Sequence, residues 1–192
     1  MEDQDIAEKE FRDIADEVQR TGEYDLELVL RVKNFKSLAW LRPSQPWESV
    51  LSVINEAIRE AGDACANVCA PFEKLLEIYG INVPTASVLL AARYPNRFAI
   101  IDNKMFEFFR RNDTYGEIKE IFNIDGDDEE LRRRLEDIKG KFDETANKRW
   151  EEYQEIYREY LKVLSIIRDI KSLPDLRAVE WKIWQSKTQK SA

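Results

Sequence analysis

Apolar side chains recur along most of this chain at intervals of three and four residues, the spacing of one face of an α-helix. The first stripe comprises Ile6, Phe11, Ile14 and Val18, and a second covers residues 26–35. Further helices are predicted over residues 47–62, 66–79, 83–94, 115–122, 131–139, 144–170 and 174–185, and a short helix opened by Asp102 is predicted through Met105, Phe106, Phe108 and Phe109. Because the helical spacing persists nearly throughout, the pattern predicts an all-α protein.

The composition agrees with this prediction and excludes several chemistries. Six glycines and six prolines in 192 residues are typical of a helical chain rather than of a turn-rich β protein. Histidine is absent, which excludes Ser-His-Asp catalysis, Cys-His catalysis and histidine metal sites. Cys65 and Cys69 are too few for a structural zinc site or an iron–sulfur cluster, so we interpret them as small buried residues.

The net charge of −8 disfavours nucleic acid as a partner, but it is concentrated at one end. Residues 1–30 contain eleven acids and three bases, whereas residues 31–192 contain 27 of each. The body of the protein is therefore neutral. The N-terminal residues do not resemble a signal peptide, and no apolar run reaches about 18 residues, so we expect a cytoplasmic protein without a membrane partner.

Residues 78–111 carry the most specific pattern in the chain. Gly80 can adopt a positive φ, Asn82 tolerates the left-handed region, and Pro84 suits the first turn of a helix. Two helices joined by a tight turn at residues 80–82 form a helix-hairpin-helix, which offers backbone N–H groups to a DNA phosphate. Residues 80–112 contain five bases and two acids, which suits a phosphate-facing surface, although a solvated helix face has the same composition.

Thr85-Ala86 follow this turn, and Asp102 lies seventeen residues after Thr85, behind the run Arg97-Phe98-Ala99-Ile100-Ile101. With these residues the segment resembles the helix-hairpin-helix DNA glycosylase superfamily, which includes endonuclease III and the mismatch adenine glycosylases. The resemblance implies a two-lobed helical fold. One lobe would be a bundle over about residues 45–140 with the hairpin at 72–94, and the other would combine residues 1–44 and 141–192. A cleft between the lobes would receive an extruded nucleotide.

Three departures from the family pattern narrow the expected activity. Asn82 takes the place of the family's second hairpin glycine, and Pro84 takes the place of the lysine that forms a Schiff base in glycosylase-lyases. The four cysteines that hold the cluster in the iron–sulfur branch are absent. The resemblance therefore implies a monofunctional glycosylase without a cluster, or a member that no longer catalyses. It implies no cofactor apart from a monovalent cation on hairpin carbonyls.

Asp102 is the candidate catalytic residue. Glycosidic cleavage of a deoxynucleotide passes through an oxocarbenium-like state, which a nearby carboxylate stabilises. Asp102 can equally serve as a helix N-cap worth about 1 kcal/mol, and the two roles are compatible. The resemblance adds candidate DNA-binding residues in and after the hairpin: Gly80, Asn82, Thr85, Arg93 and Arg97.

The expected function is binding of double-stranded DNA, with N-glycosylase activity on a damaged or mismatched base. The competing interpretation is a catalytically inactive relative that binds nucleic acid or another protein. Lys104, two residues after Asp102, is an alternative amine nucleophile. Four aromatic residues of the long helix are expected in the core, although one edge of this stripe could stack on a base: Trp150, Tyr153, Tyr157 and Tyr160. Trp181 and Trp184 are expected to anchor the last helix.

Overall fold

The chain forms ten α-helices and no strand over the residues that the computed structural model describes, 2–35, 46–63, 67–144 and 153–189. The helices are α1 (Glu2–Thr21), α2 (Leu26–Phe35), α3 (Trp47–Gly62), α4 (Cys69–Leu76), α5 (Val83–Arg93), α6 (Asn103–Phe109), α7 (Thr114–Phe122), α8 (Glu129–Glu144), α9 (Tyr153–Lys171) and α10 (Leu176–Gln189). The all-α prediction is confirmed. None of the helices in these ranges combines the length and apolar character that crossing a bilayer requires.

Most helices begin and end within a few residues of their predicted bounds. α4 is shorter than the predicted 66–79 because residues 77–80 form a turn. α8 continues to Glu144, five residues beyond its predicted end at 139. The predicted helix over 144–170 is described from Tyr153 onward, and Trp150 lies outside the described residues. Cys69 is fully buried, as expected, whereas Cys65 also lies outside the described residues.

The protein divides into two compact units that are consecutive in sequence, Met1–Pro95 and Asn96–Ala192. This division differs from the lobes that the resemblance implies, 45–140 and 1–44 with 141–192. The units are consecutive because α1 and α2 pack on α5 in the first, while α9 packs on α8 and α10 in the second. The two-lobed glycosylase arrangement stays a prediction.

In the first unit α5 is the central helix and contacts α1, α2, α3 and α4. Residues 85–92 are all buried, because the sequence of this helix is apolar or small on every face. The Tyr24 hydroxyl donates to the Leu89 carbonyl at 2.8 Å, and the Gln19 side-chain amide donates to the Ala92 carbonyl at 2.9 Å. These contacts fix α5 and, with it, the turn that precedes its first residue.

In the second unit α6 packs against α8 and α10. Its rings meet those of neighbouring helices edge to face, with centroids 5.0 Å apart for Phe106 and Phe142 and 5.5 Å apart for Phe109 and Tyr160. The apolar run at residues 98–101 precedes α6 without regular secondary structure and is at most 2% exposed. Asp102 therefore stands where the chain leaves the core and α6 begins.

Candidate functional site

The turn between α4 and α5, residues 77–82, has the tight geometry expected from its sequence. Gly80 has a φ of 90°, a conformation that residues with a Cβ rarely adopt. Ile78 and Ile81 are only 8% and 6% exposed and anchor the turn in the core on both sides of Gly80. The Ile81 N–H also donates to the Ile78 carbonyl at 3.0 Å. The turn is thus held by its own hydrogen bond and by two buried side chains.

Asn82 is the N-cap of α5 and is not left-handed. Its backbone is extended, with φ −109° and ψ 176°. Its Oδ1 accepts hydrogen bonds from the Thr85 N–H at 3.0 Å and from Thr85 Oγ1 at 2.9 Å. The oxygen is engaged by the helix, and no described residue accepts a hydrogen bond from the amide nitrogen. Asn82 thus caps the helix and presents two further N–H donors.

Thr85 and Pro84 occupy the first turn of α5, as the sequence predicts. Thr85 is only 2% exposed, and both of its donors point to Asn82 Oδ1. The structure therefore shows Thr85 orienting the Asn82 amide. A direct contact between Thr85 and a phosphate stays a prediction.

The two candidate arginines are not part of this turn. Arg93 lies in the last turn of α5, about 16 Å along the helix axis from Asn82, so the two residues cannot hold the same phosphate. Its guanidinium carbon is 4.9 Å from the centroid of the Tyr94 ring, and its buried Nε has no hydrogen-bond partner among the described residues. Arg97 belongs to the second unit, half-buried, with its guanidinium carbon 5.8 Å from the centroid of the Phe98 ring.

Asp102 is the N-cap of α6, so this expected role is confirmed. Its backbone is extended, its Oδ1 accepts the Met105 N–H at 3.1 Å, and its carbonyl accepts the Phe106 N–H at 2.9 Å. The side chain is partly exposed. The helix end therefore holds a carboxylate in one orientation within reach of solvent, and its catalytic role stays a prediction.

Two tyrosines of α9 fix the segment that leads to Asp102. The Tyr157 hydroxyl donates to the Ala99 carbonyl at 2.9 Å, and the Tyr160 hydroxyl donates to the Ile100 carbonyl at 2.7 Å. Both rings are fully buried, so they belong to the core and not to a base-stacking edge. Their hydroxyls satisfy carbonyls that have no helical or sheet partner, which stabilises an irregular buried segment.

A buried ion pair, Arg177 with Glu180, lies close to this segment and was not predicted from the sequence. The Arg177 guanidinium donates to the Glu180 carboxylate, and the two side chains are 8% and 3% exposed. Burial raises the pKa of the Tyr160 hydroxyl well above its ordinary value, and the negative charges of Glu180 and Asp102 both add to this rise. Both carboxylates thus keep the Tyr160 hydroxyl protonated, and this hydroxyl donates to the Ile100 carbonyl before α6. The opposite charges three residues apart in α10 were the available signal.

The tryptophans of α10 are partly exposed, and their role as anchors of that helix stays a prediction. The rings of Trp181 and Trp184 stack with centroids 4.9 Å apart and planes 11° apart, and the Arg177 guanidinium carbon is 4.9 Å from the Trp181 centroid. Lys104 Nζ is 4.2 Å from the centroid of the Trp184 ring. This cation–π contact engages the ammonium group that the sequence offered as an alternative nucleophile.

Among the described residues, no three or more Cys, Asp or Glu side chains come together as they would around a metal ion. The Ile78 carbonyl in the turn accepts the Ile81 N–H and retains a second lone pair, so a cation on hairpin carbonyls stays a prediction. No protein-family model, curated protein or solved structure matches the chain. Any function must therefore follow from the chemistry of these residues.

Proposed function

We propose that this protein binds DNA through the α4–α5 turn and removes a damaged or mismatched base by N-glycosylase chemistry, with Asp102 as the catalytic carboxylate. The observation that carries the proposal is the placement of Asp102. The α6 N terminus and the tyrosine-anchored run at residues 98–101 hold this partly exposed carboxylate in one position. A fixed negative charge of this kind stabilises an oxocarbenium-like transition state without reorganising first.

The α4–α5 turn offers the donors for the DNA backbone. Asn82 has two amide N–H groups without an acceptor among the described residues, at the helix end where the dipole favours an anion. Gly80 has no side chain, which allows a phosphate to approach the backbone of the turn. Such contacts position a protein on DNA without reading its sequence.

In the proposed reaction the bond between C1′ of the deoxyribose and the base nitrogen breaks, and the base leaves with the bonding electrons. Water adds to C1′, and Asp102 stabilises the positive charge on the sugar and accepts the proton of the attacking water. The departing base takes up a proton from solvent, and Asp102 then releases its own proton to solvent, which restores the carboxylate. Pro84 stands at the lyase position of the family pattern, and Lys104 is engaged by Trp184. The expected products are therefore the free base and an abasic site in an intact strand.

The test is a panel of duplexes, each with a single lesion or mismatch, incubated with the wild type, Asp102→Asn and Asp128→Asn. Asparagine caps helices as well as aspartate does, so Asp102→Asn removes the charge and preserves α6. Asp128 is the matched control, since its Oδ1 accepts the Leu131 N–H at 2.8 Å at the start of α8. We expect equal base release by the wild type and Asp128→Asn, and a loss of about a hundredfold or more for Asp102→Asn.

Each other outcome has a defined meaning. Base release by Asp102→Asn at the wild-type rate would show that this carboxylate is not catalytic. Salt-sensitive binding without release from any duplex would identify an inactive nucleic-acid-binding protein. If the wild type neither binds nor cleaves any duplex, the proposal is rejected as a whole.

A further inference from the structure

The α4–α5 turn exposes an aromatic ring that its packing does not require. Tyr79 is 70% exposed, whereas Ile78 directly before it is 8% exposed. The large hydrophobic side chains that are exposed in the described part of the chain are Ile6, Leu26, Tyr79 and Ile170. Tyr79 is the aromatic one of these. Single exposed apolar side chains are common on protein surfaces, but at a candidate DNA contact the apolar face of this ring is available to a partner that would remove it from water.

The backbone on both sides of Tyr79 is hydrogen-bonded. The Ile78 N–H donates to the Leu75 carbonyl at 3.2 Å, and the Ile81 N–H donates to the Ile78 carbonyl at 3.0 Å. Gly80 makes the sharp change of direction directly after the ring. A partner that meets the ring therefore orders one side chain and not a loop, which keeps the entropic cost of binding small.

The surroundings of Tyr79 favour a nucleobase over a protein partner. Its exposed or partly exposed neighbours within the turn are Glu77, Gly80 and Asn82, none of which has an apolar side chain. A stable protein interface needs about 1,000 Å² of buried surface around an apolar centre, whereas a base requires only the face of one ring. The negative charge of Glu77 further disfavours phosphate next to the ring and leaves that contact to an uncharged base.

We propose that Tyr79 stacks on an unpaired nucleobase and so gives the turn a preference for single-stranded or distorted DNA. The inference rests on the proposed DNA binding and deepens it. Asn82 binds the DNA backbone through its amide donors. Tyr79, three residues earlier, stacks only where the DNA offers an unpaired base. Every base has a π-face, so the contact selects unpaired DNA without selecting its sequence.

The experiment compares a labelled single-stranded oligonucleotide that contains 2-aminopurine with the same sequence in a fully paired duplex. Fluorescence anisotropy gives the affinity, and quenching of 2-aminopurine reports stacking. The variants are Tyr79→Ala, Tyr79→Phe and Tyr79→Leu, which test the ring, the hydroxyl and apolarity in turn. Ile6→Ala is the control, since it removes a 64% exposed apolar side chain of the same unit.

We expect Tyr79→Ala and Tyr79→Leu to weaken binding of the single strand about tenfold and to abolish the quenching, with little change for the duplex. Tyr79→Phe and Ile6→Ala should match the wild type. Unchanged single-strand binding by Tyr79→Ala overturns the stacking role and leaves the proposed DNA binding intact. Equal losses in Tyr79→Phe and Tyr79→Ala overturn it in favour of a hydroxyl contact. If the wild type binds neither DNA, both proposals fail. The thermal unfolding temperature of each variant should equal that of the wild type, because the ring is exposed.

Discussion

Replacing Asn82 by alanine tests the capping contacts that this side chain makes with Thr85. Asn82 Oδ1 accepts the Thr85 N–H at 3.0 Å and Thr85 Oγ1 at 2.9 Å, and Thr85 is only 2% exposed. Asn82→Ala removes the acceptor for both donors. One is a backbone N–H of the first turn of α5, and the other is a buried hydroxyl.

The expected loss follows from these two contacts. An N-cap contributes about 1 kcal/mol, and a buried donor that loses its acceptor costs roughly 1–3 kcal/mol. Asn82 is partly exposed, so water can reach part of the gap and the lower end applies. We therefore expect Asn82→Ala to lower the free energy of unfolding by about 2 kcal/mol. For a chain of this length that is roughly 4–8 °C in the unfolding temperature.

The assay is urea unfolding followed by far-ultraviolet circular dichroism, with Asn82→Asp as the matched variant. Aspartate retains the acceptor, so we expect its stability to lie within about 0.5 kcal/mol of the wild type. It lacks the amide N–H donors and adds a negative charge, so DNA binding should weaken although α5 stays capped. Equal stability of Asn82→Ala and the wild type, or equal destabilisation by alanine and aspartate, would refute the capping argument.

Two further predictions concern buried polar groups. Burial raises the pKa of the Tyr24 hydroxyl, with a smaller opposing effect from Arg93. The folded state therefore keeps the Tyr24 proton, which the unfolded chain releases above a pH of about 10. The contribution of Tyr24 to the free energy of unfolding is complete below that pH and decreases as the pH rises. Urea unfolding between pH 9 and 11.5 should show a shallower decline for Tyr24→Phe, and an unchanged slope would contradict this prediction. In α10, Glu180→Ala should destabilise the protein by about 3–5 kcal/mol, because it leaves the charge of Arg177 buried without this carboxylate. The double variant Arg177→Met with Glu180→Leu should recover most of that loss in chemical denaturation, and a double variant as unstable as Glu180→Ala would show that the charges are not the cause.

The helices and their ends were largely predictable because their signals are local. Pro46 directly precedes α3, and Asp102 caps α6 next to the residues whose N–H groups it accepts. Asn82 was expected in the turn and instead caps α5. The apolar stripe of α1 was also visible, yet Ile6 within it is 64% exposed. Periodicity identifies the face of a helix that packs against the core, but it does not show how far along the helix this packing extends.

The candidate site was predictable in part for the same reason. The turn at Gly80 and the N-cap at Asp102 follow from residue type and position, and both are present. Arg93 was expected to assist the hairpin, but the length of α5 separates it from Asn82 by about 16 Å. Tyr79 gave no signal, because the sequence does not distinguish a ring that turns outward from the buried isoleucine beside it.

By itself the sequence determined the helical class, the sharp turn between α4 and α5 and the cap of α6, because each depends on interactions within about four residues. Only the tertiary structure decided which groups meet across the chain. The bonds from Tyr157 and Tyr160 to the run before Asp102 join residues 58 and 60 positions apart. Such pairs form where packed helices bring them together, and hydrophobic packing depends on burial and shape rather than on local order.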